Sequence, residues 1–211
     1  MKSLFSLFLG AFVWCTSAFA QESPDALIQK VTDEVLTIVR QDKDIQSGNT
    51  KKAIELVEAK VLPNFNFQRM TALAMGRDWN KANAEQKKRL TDEFKTLLVR
   101  TYAGALAQVK DESVTAKPMR AKPGDTDVLV RTEIRGRGEP VQLDYRLEKT
   151  PGQGSGWKIY NLNVLGVWLV ETYRSQFAQE VNAKGVDGLI AALAARNKAN
   201  AEGSTGVAGT K

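Results

Sequence analysis

An α+β fold, with a curved four-stranded antiparallel sheet covered by several helices, follows from three observations on this chain. Apolar residues recur at three- and four-residue spacing between residues 24 and 109, the period shortens to two between residues 113 and 164, and helical spacing returns after Gly166. The links between the period-two segments are too short for parallel crossovers, so those strands must be antiparallel neighbours in a meander.

The first twenty residues are set apart from this pattern. Lys2, an apolar run from Leu4 to Trp14, and Ala18-Phe19-Ala20 as an A-x-A cleavage site read as a secretory signal peptide over residues 1–20. The run is too short for a spanning helix. Attachment of lipid at Cys15 would need a small residue before it, and Trp14 stands there, so Cys15 leaves with the signal. The expectation is one α+β unit over residues 21–198, exported to the periplasm.

Ser23 and Pro24 open the first helix, the serine as a cap and the proline with φ preset for the first turn. Ile28, Val31, Val35 and Ile38 then lie on one face up to Arg40. A second helix is expected over Lys51 to Val61, stopped by Pro63, and a third over Phe67 to Met75, with Gly76 as a left-handed end. Asn83 and Gln86 make a capping box for the longest helix, whose apolar face holds Leu90, Phe94, Leu97, Leu98, Tyr102, Leu106 and Val109. At about 1.5 Å per residue it would be nearly 40 Å long.

Four strands are expected at Val114 to Arg120, Asp127 to Arg135, Val141 to Lys149 and Trp157 to Val164, the first link turning at Pro123-Gly124. In the third, Val141, Leu143, Tyr145 and Leu147 alternate with Gln142, Asp144, Arg146 and Glu148, which implies one covered face and one wet face. After Gly166, Val170, Tyr173, Phe177 and Val181 form a helical stripe, and a last short helix starts near Val186. The tail over residues 199–211 carries small and polar residues and is expected to be disordered.

Composition removes several functions. The chain has no histidine and one cysteine, the latter in the signal, so His-dependent nucleophile activation and thiolate or imidazole metal sites are excluded. Carboxylate-only hydrolysis survives that filter, although the acidic residues are interleaved with lysine and arginine as on a solvated surface. The net charge of +6 suits contact with anionic lipid or acidic partners, and is equally ordinary for a globular domain. Arg135-Gly136-Arg137-Gly138 has no aromatic platform beside it for nucleic acid. Gly152, Gly154 and Gly156 lead into a strand and not a helix N-terminus, so they read as a hairpin loop and not a phosphate cradle.

What remains is apolar surface. The third strand's covered face, Leu98, Tyr102 and Leu106 on the long helix, and the segment from Leu165 to Val170 converge under one cover, which patterning alone leaves open between packed core and ligand cavity. "WKIYNLNVLGVWLVETYRSQF" and "KGVDGLIAAL", with "LPNFNF" and "LTDEFKTLLVRTYAGAL" upstream, resemble the MlaC family, also called the toluene-tolerance auxiliary family, over residues 24–197. The resemblance implies a fold similar to nuclear transport factor 2 with added helices. It also implies a monomeric, non-enzymatic periplasmic phospholipid carrier without metal or cofactor. The implied partners are an inner-membrane ABC transporter with a ring of lipid-binding domains and an outer-membrane lipoprotein complex, with no nucleic acid. By position it makes Tyr102, Val141 and Val167 pocket lining; the full expected lining adds Leu98, Leu106, Leu143, Tyr145, Leu147, Leu165 and Val170. Trp168 stands where the family pattern has a small polar residue, and pointing inward it would narrow the pocket; Gly166 is the expected hinge. An exported hydrolase using carboxylates and a ligand-free adaptor are the alternatives.

Overall fold

The computed structural model describes residues 22–119, 122 and 124–206, with side chains through residue 202. The signal segment, Arg120, Pro123 and the last residues of the tail lie outside the described residues. Helices α1 (Pro24–Gln41), α2 (Lys43–Gln46), α3 (Thr50–Leu56), α4 (Phe67–Met75) and α5 (Ala84–Tyr102) precede strands β1 (Ser113–Ala116), β2 (Asp127–Arg135), β3 (Val141–Lys149), β4 (Trp157–Val164) and β5 (Val167–Trp168). Helix α6 (Leu169–Gly206) follows, and its helical path is broken at Gly185, where φ is 72°. It continues to Gly206, into the segment expected to be disordered.

The strands form one sheet in sequence order, every neighbour antiparallel. The fifth strand was not anticipated. It exists because Leu165 and Gly166 both take positive φ, 53° and 84°, as a two-residue type I′ turn requires, and this folds Val167 back opposite Val164. β1 ends at Ala116, short of the expected Arg120, as Pro118 supplies no N–H for a ladder.

Local chemistry accounts for the helix ends. The Asn83 and Gln86 capping box is present, each side chain accepting the other's backbone N–H. Ser23 makes no side-chain cap bond to its helix. Asp25 takes that role: partial burial opposes its charge, yet hydrogen bonds from Ser23 and from the N–H groups of Asp25, Ala26 and Met119 hold its carboxyl below the ordinary value. Ahead of Pro63 the second expected helix widens into a π turn over Val57–Val61. The long helix stops being α-helical at Tyr102 and tightens into a 3₁₀ turn, Ala103–Gln108, which contains the poor helix former Gly104.

Three apolar clusters result. The first joins α4, α5 and α6, where Phe94 meets Tyr173 and Phe177 edge-on at centroid separations of 4.9 and 5.0 Å. In the second, Leu27 and Ile28 of α1 pack on Val128, Val130, Tyr145, Leu147 and Ile159 of the sheet. The third unites the C-terminal half of α1 with α2, α3 and the end of α5 through Val35, Val39, Ile45, Val99 and Ala103.

Candidate functional site

The face of the sheet that looks toward α1 is apolar by alternation: Val128, Val130 and Ile134 of β2 stand opposite Leu147, Tyr145 and Val141 of β3. Burial along β3 is graded. Leu147 is fully enclosed and Tyr145 nearly so, whereas Leu143 and Val141 are half-buried. Tyr145 directs its hydroxyl to Thr132 and Thr32; burial raises its pKa above the ordinary phenol value despite those hydrogen bonds. Beyond Val141 the apolar row continues into the β4–β5 hairpin, where Leu165 is 69% and Val167 52% exposed. Tyr102, at the end of α5, is 40% exposed.

The ten predicted lining residues are therefore distributed over distinct environments. Tyr145, Leu147 and half-buried Leu143 belong to the sheet cluster, Leu98 and Val170 to the helical one, and Leu106 packs against the third. Val141 lies half-covered on the sheet, and Tyr102, Leu165 and Val167 are three of the exposed large apolar side chains. Leu162 packs against both the helical and the sheet clusters, and so marks the seam between them. Two surface grooves, of about 720 Å³ beside Lys30, Glu34 and Lys60 and of about 550 Å³ beside Lys117, Asp125 and Arg131, are bordered by none of the ten.

Trp168 points away from this apolar face. It pairs with Asn163, and the Arg146 guanidinium lies over its ring at 4.2 Å from the centroid. Pleating decides the matter: Val167, its neighbour, opposes apolar Val164, so the tryptophan must take the other side. The pocket narrowing expected of an inward Trp168 is thus removed.

The second face of the sheet carries residues that the pattern alone did not single out. Arg69 of α4 donates to Glu148 at 2.6 Å and to Asp127 at 2.9 Å, and its guanidinium stacks 3.7 Å from the Tyr160 centroid. Tyr160 donates to Asp127 at 2.7 Å, and its pKa is pushed up to about 12 by burial and by that hydrogen bond. Farther along, the buried Asn161 carboxamide accepts from the N–H groups of Leu162 and Val170 and donates to Glu171, which also receives Arg146 at 2.9 Å. Burial disfavours the Glu171 carboxylate, but the bonds from Asn161, its own N–H and Arg146 outweigh it and lower the pKa. A bulge between Arg146 and Leu147 in the β3–β4 register places Tyr160 and Asn161 on this same face. Asn-x-Asn at 161 and 163 was the available signal, since asparagine in a central strand wants a specific partner.

Among the described residues, no group of three or more histidine, cysteine or acidic side chains is placed to hold a metal, and no helix is long and apolar enough to cross a membrane.

Comparison with known proteins gives a consistent set of relatives. The family described as MlaC protein matches residues 29–195. The intermembrane phospholipid transport system binding protein MlaC of Haemophilus influenzae is 25% identical over 193 residues, which span 89% of this chain and 88% of its own. The toluene tolerance protein ttg2D of Pseudomonas putida is 25% identical over 169 residues, 80% of this chain and 77% of its own. A solved phospholipid-binding protein from Ralstonia solanacearum, in complex with a phospholipid, has 46% sequence identity and a TM-score of 0.78, with 84% of this chain and 98% of that chain covered.

Proposed function

This chain belongs to the MlaC family, and from that premise we propose that it is a non-catalytic periplasmic carrier that encloses phospholipid acyl chains and passes them between transport complexes of the two membranes. The observation that carries the reading is the unfinished apolar face. Along β3, burial falls from Leu147 to Val141, the row ends in exposed Val167 and Leu165, and Tyr102 at the end of α5 is exposed as well. A protein with only a packed core to build gains nothing from leaving these residues in water, since each buried methylene stabilises by about 0.8 kcal/mol.

The same figure sets the demand on a carrier. A chain of about sixteen carbons exposed to water forfeits on the order of 12 kcal/mol, so both walls must close over it almost completely. The seam marked by Leu162, between the sheet cluster and the helical cluster, is where tails would lie, with Leu143, Val141 and Leu98 as walls and Tyr102, Val167 and Leu165 as the mouth. The head group needs no such cover, which accounts for a carrier without a phosphate-binding loop. The Gly166 turn is where the mouth would flex. An inner-membrane ABC transporter with lipid-binding ring domains and an outer-membrane lipoprotein complex would be the donor and acceptor, with direction supplied by the ATPase.

Native mass spectrometry of the chain purified from the periplasm without detergent tests this. A mass excess equal to intact phospholipid is expected, and labelled phospholipid should be recovered unchanged after incubation. A bare polypeptide mass that persists after exposure to liposomes would replace the carrier reading with an adaptor, and cleaved lipid would replace it with a hydrolase.

A further inference from the structure

β1 is the end strand of the sheet, so one side of it has no neighbouring strand to receive its backbone groups. Its inward groups pair with β2, as the Lys117 N–H does with the Arg131 carbonyl. Its outward groups are met by α1. The Gln29 carboxamide donates from Nε2 to the Val114 carbonyl at 2.9 Å and accepts the Ala116 N–H on Oε1 at 2.8 Å. Eleven residues on, Arg40 donates from Nε to the Lys110 carbonyl at 3.3 Å and from Nη2 to the Glu112 carbonyl at 2.5 Å. The alternate carbonyls of residues 110, 112 and 114 are thus each taken by an α1 side chain. A carboxamide carries a donor and an acceptor side by side, so Gln29 occupies the place of a neighbouring strand's peptide groups.

The adjoining side of α1, about a quarter-turn round from Gln29 and Arg40, is apolar and joins two clusters. Leu27 and Ile28 pack on the sheet, Val35 and Val39 on the end of α5, and Thr32 between them reaches the Tyr145 hydroxyl. Apolar contact is non-directional, so a greasy helix resting on a greasy sheet has little to fix its height or register. Directional hydrogen bonds do fix both.

We propose that Gln29 and Arg40 are positioning residues for lipid binding: by pinning α1 along the free edge of β1, they set the width of the acyl-chain space while touching no lipid themselves. Cargo selection by tail volume is then decided partly by polar groups outside the apolar site. This rests on the carrier reading above.

The test compares lipids extracted from the wild-type chain, the Gln29→Ala/Arg40→Ala double variant and Arg40→Lys, with hydrogen exchange at the Ala116 amide followed in each. Wild type should carry a narrow distribution of total acyl carbons. The double variant should carry a broader or longer one, its Ala116 amide exchanging on the order of tenfold faster, as loss of a single hydrogen bond allows. Arg40→Lys, which keeps the charge and can still reach one carbonyl, should restore most of the wild-type profile. An unchanged acyl distribution or an unchanged Ala116 exchange rate in the double variant overturns the assignment and leaves the carrier reading intact. A wild-type chain without phospholipid removes both. If the double variant does not fold, Gln29→Ala alone reads the same two quantities.

Discussion

On β3, Leu147, Tyr145, Leu143 and Val141 look toward α1 while Glu148, Arg146 and Asp144 look away, and the two rows hold their neighbours by different physics. The first row is held by contact area, which has no preferred direction and can be repacked around an added chain at modest cost. The second is held by charge-assisted hydrogen bonds: Arg69 to Glu148 and Asp127, Tyr160 to Asp127, and Arg146 and Asn161 to Glu171. These have narrow geometries and tie α4 and the start of α6 to the strands. One pleated sheet thus presents an adaptable surface to the proposed cargo and a fixed one to the helices that must not move with it.

The comparison breaks most completely if charge is put into the adaptable face. Val141→Asp places a carboxylate in the half-buried end of the row and should abolish phospholipid retention with the circular dichroism spectrum unchanged; wild-type loading would show that tails lie elsewhere. Next in size is Asn161→Ala on the fixed face, which strands the Leu162 and Val170 N–H groups and removes a donor from Glu171. It should cost about 2–3 kcal/mol in denaturant unfolding, with the identity of bound lipid unaltered. Arg69→Ala should cost about 1–2 kcal/mol by the same measurement, as its side chain is one-third exposed and its ion pairs are partly screened.

A pH series sharpens the contrast further. The Glu171 pKa in the folded chain lies below the ordinary 4.5, so its bonds stabilise fully above pH 4.5, and that contribution is lost as pH falls through the lowered value. Melting temperatures of Glu171→Gln should therefore track wild type less favourably at neutral pH and converge with it in acid; parallel curves would deny the linkage. The smallest effect belongs to the hairpin tip. Leu165 holds a left-handed conformation that suits asparagine or glycine better, so Leu165→Asn should stabilise by about 0.5–1 kcal/mol while slowing lipid transfer to acceptor vesicles.

Much of the adaptable face was legible in the sequence because its signals are local. The apolar half of the β3 alternation, the Asn83–Gln86 capping box and the positive-φ end at Gly76 each depend on residues within a few positions of one another, and each is present. The other half of β3 is not the wet face expected, since Asp144 is buried and Arg146 and Glu148 are held against α6 and α4. The fixed face was not legible. Arg69 is 58 residues from Asp127 and 79 from Glu148, and nothing within α4 or β3 says that their charges will meet. The same holds for Gln29, which reads in α1 as one more solvated residue until the end strand is placed beside it. The side Trp168 takes was left open by the sequence, because it is decided by a two-residue turn whose first member, Leu165, is an uncommon choice for positive φ.

The bulge opposite Arg146 and Leu147 also bears on which length changes the chain tolerates. Removing either Tyr160 or Asn161 would cancel the bulge and leave Leu162 and Val164 on the apolar face, whereas removing one residue beyond it, such as Leu162, would turn Asn163 toward the apolar face and Val164 toward the polar one. Removing one residue from the exposed Gly152–Gly154 stretch would only shorten a hairpin connection. Natural variation in length should therefore accumulate in the β3–β4 connection and be purged from β4 beyond the bulge, although the two lie within ten residues of each other.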